Sequence, residues 1–467
     1  MLFSSIPFLY YFLPVVFALY FALPKKLRNL VLLVSSLFFY FYGEPKYIVL
    51  LVFSSLMDYT ISLIINRNRG KKAAKRALMC SVTVNLLILL FFKYSDFIIT
   101  NINTLPGINI PLLHIPLPLG ISFYTFQTMS YTIDVYRNEA KIQKNPLDFM
   151  AYVSMFPQLV AGPVVRYQTI ADQINERTHS LENFAAGAER FVIGLGKKVL
   201  IANALGELNK TALTSSSQSV LMYWLAILGF TLQIYFDFSG YSDMALGIGK
   251  IFGFTFLENF NYPFISRSIT EFWRRWHISM GTWFREYIYI SLGGNRVSRL
   301  KWVRNIAVVW FCTGLWHGAA WNFIVWGLFF GVLLVLEKLF LLKWLEKLPS
   351  ALSRLYCLLI VLISFVIFHL ETVADILGFL KGMFGFASVP LFTSESVYYL
   401  NSYKVILIAA AIGSTPLLKN LVTRAQLNPG LKTVVGVLRP AFTAALLIIV
   451  TAYLVDSSFN PFLYFRF

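Results

Sequence analysis

Long apolar runs separated by short basic clusters set the pattern of this chain. An opening run over residues 1–22 is followed by Lys25, Lys26 and Arg28, and runs over 27–42 and 47–65 precede the basic segment RNRGKKAAKR at 67–76. A fourth run covers 78–97, and others lie near 188–205, 220–236, 303–316, 322–339, 352–368, 405–418 and 441–454. Since one bilayer crossing takes roughly 20 residues, these runs predict about eleven transmembrane helices. The fold expected is all-α and polytopic, a single integral-membrane domain over 1–467, with re-entrant and interfacial helices between the spans. No positive charge precedes the first run and no small-residue cleavage site follows it, so it is expected to stay as a span. The cluster after it places the first loop in the cytoplasm and the amino terminus outside. The basic loop at 67–76 and the nearly neutral GEPK before the third run agree with that orientation.

Polar and helix-breaking residues interrupt the pattern in four places. Pro106, Pro111, Pro116 and Pro118 exclude continuous helix between the fourth run and residue 121. Residues 121–139 carry Gln127, Ser130, Thr132 and Asp134, too polar a set to face lipid, so this helix is expected to line a protein interior or a wet cavity. The stretch MFPQLVAGPVVRY at 155–167 breaks helix at membrane depth. Further on, YFDFSGYSDMALGIGKIFGF at 235–254 puts Asp237, Ser239 and Asp243 at the end of an apolar helix. Such a placement needs water, a partner or a task. Gly249 and Gly253, four apart, read as a close helix-packing face.

Composition confirms the solvent. With 57% hydrophobic and 13% charged residues and a mean hydropathy of +0.66, the chain belongs in a bilayer. Its net charge of +18 sits in clusters between apolar runs. It therefore reads as membrane orientation and attraction to anionic lipid rather than nucleic-acid binding. Cys80, Cys312 and Cys357 are isolated, read as packing residues, and offer no paired spacing for a disulfide framework or a metal site.

Candidate chemistry concentrates between residues 236 and 327. From Arg267 to Arg304 basic residues alternate with Phe272, Trp273, Trp276, Trp283, Phe284, Tyr287 and Tyr289. This predicts an amphipathic helix lying at the cytoplasmic interface with its aromatics as a lipid anchor. Arg274 and Arg275 are candidates to meet a phosphate-bearing acyl donor, because guanidinium forks match phosphate geometry. His277 lies in the polar face of that segment. His317 ends an apolar run with Trp316 before it and Asn322 as the next strongly polar side chain. An apolar setting favours neutral imidazole, the form a general base requires when a hydroxyl attacks a thioester. A transporter or flippase would use the same interrupted helices, Asp237 and an intramembrane histidine as a proton relay. Consumption of a thioester separates the two classes.

The stretches FDFSGYSDMALG, ENFNYPFISRSITEFWRRWHISMGTWFREYIYISLGGNR and GLWHGAAWNF resemble the membrane-bound O-acyltransferase family. Within it the likeness is to the bacterial branch that O-acetylates alginate, peptidoglycan and other exported polysaccharides, and it extends over essentially the whole chain. The resemblance implies a ring of helices around a thinned centre, with the two signature positions at His277 and His317 and the central catalytic role at His317. Asp237, Arg274, Arg275, Trp316 and Asn322 are the accompanying substrate-binding candidates. It also implies a cytoplasmic acyl donor, acetyl-coenzyme A or an acylated carrier protein, with no tightly bound cofactor, and a bacterial cytoplasmic-membrane location. An extracytoplasmic SGNH-type esterase partner would complete the transfer. The branch that passes D-alanine to teichoic acid is similar enough to supply an alternative substrate. The terminal SSFNPFLYFRF resembles the tail motif of this branch, with Tyr464 as the proposed acyl carrier.

Overall fold

The computed structural model describes residues 1–159 and 162–456, and among these it is helical with no strand. Among the described residues seven helices are long and apolar enough to cross a membrane, together with the shorter apolar helix Phe8–Ala22. The remaining runs expected to span form helices that are shorter, more polar or interrupted by a π-helical turn, as at Lys197–Ala202. The described residues cluster into two compact units, one drawn from residues 1–191 and 244–257 and the other from residues 192–243 and 258–456.

The first unit begins with α1 (Leu13–Ala22), α2 (Arg28–Gly43), α3 (Ile48–Arg67) and α4 (Lys72–Ile102). At 31 residues α4 is roughly 46 Å long, half as long again as the hydrocarbon core. The proline stretch that follows it is not helical up to Gly120. There φ of +70° gives the left-handed turn that starts α5 (Ile121–Arg137), and a Cβ would lie 2.6 Å from the Leu159 carbonyl oxygen. Asn138, also left-handed, ends it. α5 is buried along almost its whole length, as its polarity requires. Its Thr132 meets Ser81 of α4 at 3.2 Å, and Ser81 in turn donates to Asp58 of α3 at 2.6 Å. α6 (Pro146–Ser154) and α7 (Tyr167–Asn175) flank the break predicted at 155–167.

α8 (Leu181–Gly196) carries the chain into the second unit, continuing through the π-turn into α9 (Asn203–Thr214). α10 (Val220–Ile251) packs closely at Gly247, where a Cβ would stand 2.5 Å from the Gly187 carbonyl oxygen. The expected face at Gly249 and Gly253 is corrected accordingly. Gly249 faces the Phe256 ring, and Gly253 lies beyond the helix end with φ of +83°.

The interfacial helix expected over 266–304 is instead broken into α11 (Ile269–Arg275), α12 (Ile278–Phe284) and a π-turn at Arg285–Tyr289. Its aromatics are not a lipid anchor, because Phe272, Trp276, Trp283, Phe284 and Tyr287 are buried. Apolar periodicity marks a face that avoids water without saying whether lipid or protein covers it. α13 (Arg299–His317) and α14 (Trp321–Leu336) form a tight hairpin, and α15 (Ser350–His369) packs on α14. The buried Glu337, just past α14, accepts the amide hydrogens of Ile269 and Thr270 at 2.7 Å each and the Thr270 hydroxyl at 2.7 Å. It thereby satisfies the free N–H groups at the start of α11. Helices α16 (Val373–Met383), α17 (Ser394–Gly413), α18 (Leu417–Leu427) and α19 (Pro429–Asp456) complete the unit.

Candidate active site

The site forms within the second unit where the α11–α12 turn, the α13–α14 turn and α10 meet. α11 stops at Trp276, whose backbone is extended, and His277 then turns left-handed, with φ 46° and ψ 51°, to start α12. A non-glycine residue held there is uncommon. Asn259 holds it. The Asn259 carbonyl oxygen accepts the Ile278 amide hydrogen at 3.0 Å, and its side-chain Oδ1 accepts from the Ser279 amide at 3.2 Å and the Ser279 hydroxyl at 2.9 Å. The same Oδ1 lies 3.2 Å from His277 Nδ1, while Nδ2 donates to the Ser242 hydroxyl at 3.1 Å. A backbone N–H can only donate, so the atom it meets must be the amide oxygen, and His277 Nδ1 must then carry hydrogen. In the neutral ring the lone pair sits on Nε2. Burial pushes His277 down from its ordinary 6.5 to about 3, so neutral imidazole is the form present at physiological pH.

His317 is the last residue of α13, and its ring meets the edges or faces of Trp316, Trp326 and Phe368 at centroid separations of 5.0, 4.9 and 5.3 Å. Trp316 also meets His277, at 5.7 Å, so one indole touches both histidines. Phe238 of α10 closes the other side of His277 at 4.7 Å. The hairpin is set by two glycines. A Cβ at Gly314 would lie 2.4 Å from the Phe323 carbonyl oxygen, and one at Gly327 would lie 2.3 Å from that of Trp310. Backbone contact on both helices fixes the height of His317 against the start of α14. There Asn322 donates Nδ2 to the Phe368 carbonyl at 3.0 Å, and its Oδ1 is buried without a hydrogen-bond partner among the described residues. An orphan acceptor in an apolar wall is a place for a donor from substrate or water.

Of the predicted residues, His277, Trp316 and His317 come into direct contact and Asn322 shares Phe368 with His317. Asp237 is engaged otherwise. Its Oδ1 lies 2.8 Å from Lys198 Nζ, both side chains are buried, and Lys198 also donates to Asn203 at 2.9 Å. Arg275 is tied to Glu271 at 2.9 Å and to the Asn261 carbonyl at 3.1 Å, whereas Arg274 is exposed. Tyr464 lies outside the described residues. Sequence reasoning missed Asn259 as the partner of His277 and Lys198 as the partner of Asp237. Neither announces itself by spacing, because both pairs close through tertiary packing. The sole hint was that Asn259 falls inside the stretch ENFNYP.

The comparisons decide the family. The profile described as MBOAT, membrane-bound O-acyltransferase family, matches residues 35–377, which include both histidines. The chain belongs to the membrane-bound O-acyltransferase family. It is 43% identical over 399 residues to a probable alginate O-acetylase of Azotobacter vinelandii, covering 84% of this chain and 79% of that one. It is 36% identical over 439 residues to the peptidoglycan O-acetyltransferase of Helicobacter pylori, covering 86% and 83%. Likeness to the teichoic acid D-alanyltransferase of Bacillus subtilis is narrower, 31% over 266 residues, covering 53% and 65%. The protein is therefore a multi-pass membrane O-acyltransferase. In this O-acyltransferase the two histidines sit in a wall of aromatic rings, a setting suited to proton transfer away from bulk water.

Proposed function

We propose that this O-acyltransferase takes an acetyl group from a cytoplasmic thioester, acetyl-coenzyme A or an acylated carrier protein, and delivers it for O-acetylation of an extracytoplasmic polysaccharide. The observation that carries this reading is the buried pair of histidines joined by Trp316, with His277 fixed as a neutral ring whose Nε2 holds the lone pair. The likeness to alginate and peptidoglycan O-acetylating proteins, over 84% and 86% of the chain, supports acetyl as the group and a polysaccharide as the acceptor. His317 acts as the base. Its imidazole takes the proton of an acceptor hydroxyl as that oxygen bonds to the thioester carbonyl carbon, the C–S bond breaks, and the imidazolium returns the proton to the departing thiolate. His277 positions the donor, and the orphan Asn322 oxygen accepts a hydrogen bond from the acceptor. The enzyme works in a bacterial cytoplasmic membrane, and an SGNH-type partner outside the membrane completes the transfer to sugar. Tyr464 is the proposed intermediate carrier, since a phenol deprotonated by a neighbouring base accepts an acyl group and releases it again.

The test is donor competition. Purified protein in liposomes is supplied in parallel with radiolabelled acetyl-coenzyme A, acetylated carrier protein and D-alanylated carrier protein, and free thiol and transferred label are measured. Release of thiol with label passing from an acetyl donor is expected. Consumption of the D-alanyl donor alone would overturn the acetyl assignment and favour teichoic acid as acceptor, while three intact thioesters would overturn the donor class.

A further inference from the structure

A second cluster of chemistry lies in the first unit, apart from the residues of the candidate active site. Two arginines, Arg28 at the first position of α2 and Arg177 just beyond α7, converge on His179 and Tyr20. Arg28 Nη1 lies 3.1 Å from His179 Nδ1, and its guanidinium carbon sits 5.2 Å from the Tyr20 ring centroid. Arg177 donates Nε to the Tyr20 hydroxyl at 3.2 Å, Nη2 to Asn29 Oδ1 at 2.7 Å, and Nη1 to the carbonyls of Gln173 and Ile174 at 3.0 Å each. Because a guanidinium can only donate, His179 Nδ1 must be an acceptor and Nε2 must carry the hydrogen, which faces the Phe252 carbonyl at 3.2 Å and the Tyr20 oxygen at 3.0 Å. His179 is thus built in as a neutral ring, and its pKa is held below the ordinary value by burial first and then by Arg28 and Arg177.

Every one of these contacts supplies oxygen or nitrogen, and none supplies negative charge. Neither arginine forms an ion pair with a carboxylate among the described residues. The carboxylate of Asp148 reaches Arg177 only through the Asn29 amide, which donates to it at 2.8 Å. Arg28 Nε is buried without a hydrogen-bond partner among the described residues. Lys25 and Lys26, both exposed, precede Arg28, whose backbone N–H donates to the Lys25 carbonyl, and no side chain caps the start of α2. The positive end of the α2 dipole thus meets three nearby cations. A structural role in pinning the 176–180 loop accounts for Arg177, which caps α7, but leaves Arg28 and the unbalanced charge without a reason.

We propose that Arg28 and Arg177 form a binding seat for a phosphate group at the cytoplasmic face of the first unit. Beyond the contacts above, Arg28 keeps Nη2 and Arg177 keeps one Nη2 hydrogen for a ligand, and guanidinium donors suit the oxygens of a phosphate. Both arginines are half-exposed, so the seat is open to a ligand. The positive-inside pattern of Lys25, Lys26 and Arg28 puts it at the inner membrane surface, where the phosphate could belong to an anionic lipid headgroup or to a soluble phosphate. The chemistry of recognition is shared, and the experiment separates the sources.

The full-length protein, its Arg28→Gln and Arg28→Lys variants and an Arg177→Lys variant are purified in detergent, with the melting temperature of each recorded first. Native mass spectrometry then measures retention of added phosphatidylglycerol against phosphatidylcholine. In parallel, melting is followed with inorganic phosphate against chloride at matched ionic strength. For a lipid seat, wild type retains phosphatidylglycerol selectively, Arg28→Gln retains it roughly tenfold more weakly, and Arg28→Lys falls between. For a soluble ligand, phosphate raises the wild-type melting temperature, Arg28→Gln loses that rise, and the two lipids are retained alike. If Arg28→Gln does not fold, the two lysine variants, which keep the charge and lose the fork, decide by the same measurements. Lipid retention and phosphate response that are both absent, or both unchanged by every variant, would overturn the proposal.

Discussion

Replacing Asn259 by alanine is the sharpest perturbation the site offers, because one side chain sets both the conformation and the tautomer of His277. The change removes four hydrogen bonds, three accepted by Oδ1 and one donated by Nδ2. The Ser279 hydroxyl can rotate to another acceptor, but the Ser279 amide and the His277 Nδ1–H cannot. Two buried donors left without acceptors, at about 1–3 kcal/mol each, give a loss of ~2–6 kcal/mol. Set against a typical stability of about 5–15 kcal/mol, that is a large fraction. Asn259→Asp keeps the acceptors, loses the donor to Ser242 at about 1 kcal/mol, and adds the cost of burying a charge. It also places a carboxylate against His277, which favours imidazolium and raises the pKa of the ring. Thermal unfolding in detergent should therefore rank wild type above both variants. The aspartate variant should also show an acid limb in acyl transfer that lies closer to neutral pH than in wild type. An alanine variant as stable and as active as wild type would refute the positioning role.

Other outcomes follow from the same geometry. His317→Ala should lower acyl transfer by about 10²–10⁴-fold with folding intact, whereas His277→Ala should mainly raise the donor KM; steady-state kinetics on both variants decides. His277 is held near 3 against an ordinary 6.5, so between those values the unfolded chain binds more protons than the folded one. Stability is therefore fully present above about pH 6.5 and falls as pH drops toward 3, and melting curves of wild type and His277→Gln should diverge only in that window. Asp237→Asn leaves Lys198 buried without its counter-charge and should cost about 3–5 kcal/mol, measured as a lower melting temperature. Tyr464→Phe should abolish acetyl labelling of the carboxyl-terminal peptide, read by mass spectrometry, and full polymer acetylation by that variant would exclude the carrier role.

Much of this architecture was legible from local signals. The prolines at 106–118, the polar face of residues 121–137 and the break at 155–167 each reflect constraints that act within a few residues, namely a missing N–H or a polar side chain in an apolar solvent. His317 stood out for the same reason. What the sequence could not disclose were the partners that arrive from elsewhere in the chain. Asn259 reaches His277 across 18 residues, Glu337 reaches Ile269 across 68, and Arg28 reaches His179 across 151. The aromatics from Phe272 to Tyr287 misled because a lipid-facing and a protein-facing ring carry the same periodicity. Asp237 called for water, a partner or a task, and its partner is Lys198, set in a π-turn that no residue pattern foretells.

The Glu337 carboxylate has a mechanical meaning beyond its capping of α11. It fastens the front of α11 to the far end of α14, while the near end of α14 begins four residues after His317. His277 rides on the rear of α11, held in turn by Asn259. The hairpin that bears one histidine and the segment that bears the other are therefore bolted into one chassis. To slide one past the other, three hydrogen bonds to a buried anion would have to break together. Admission of acyl donor or acceptor must come from movement of the surrounding parts, with the two imidazoles travelling as a single rigid tool.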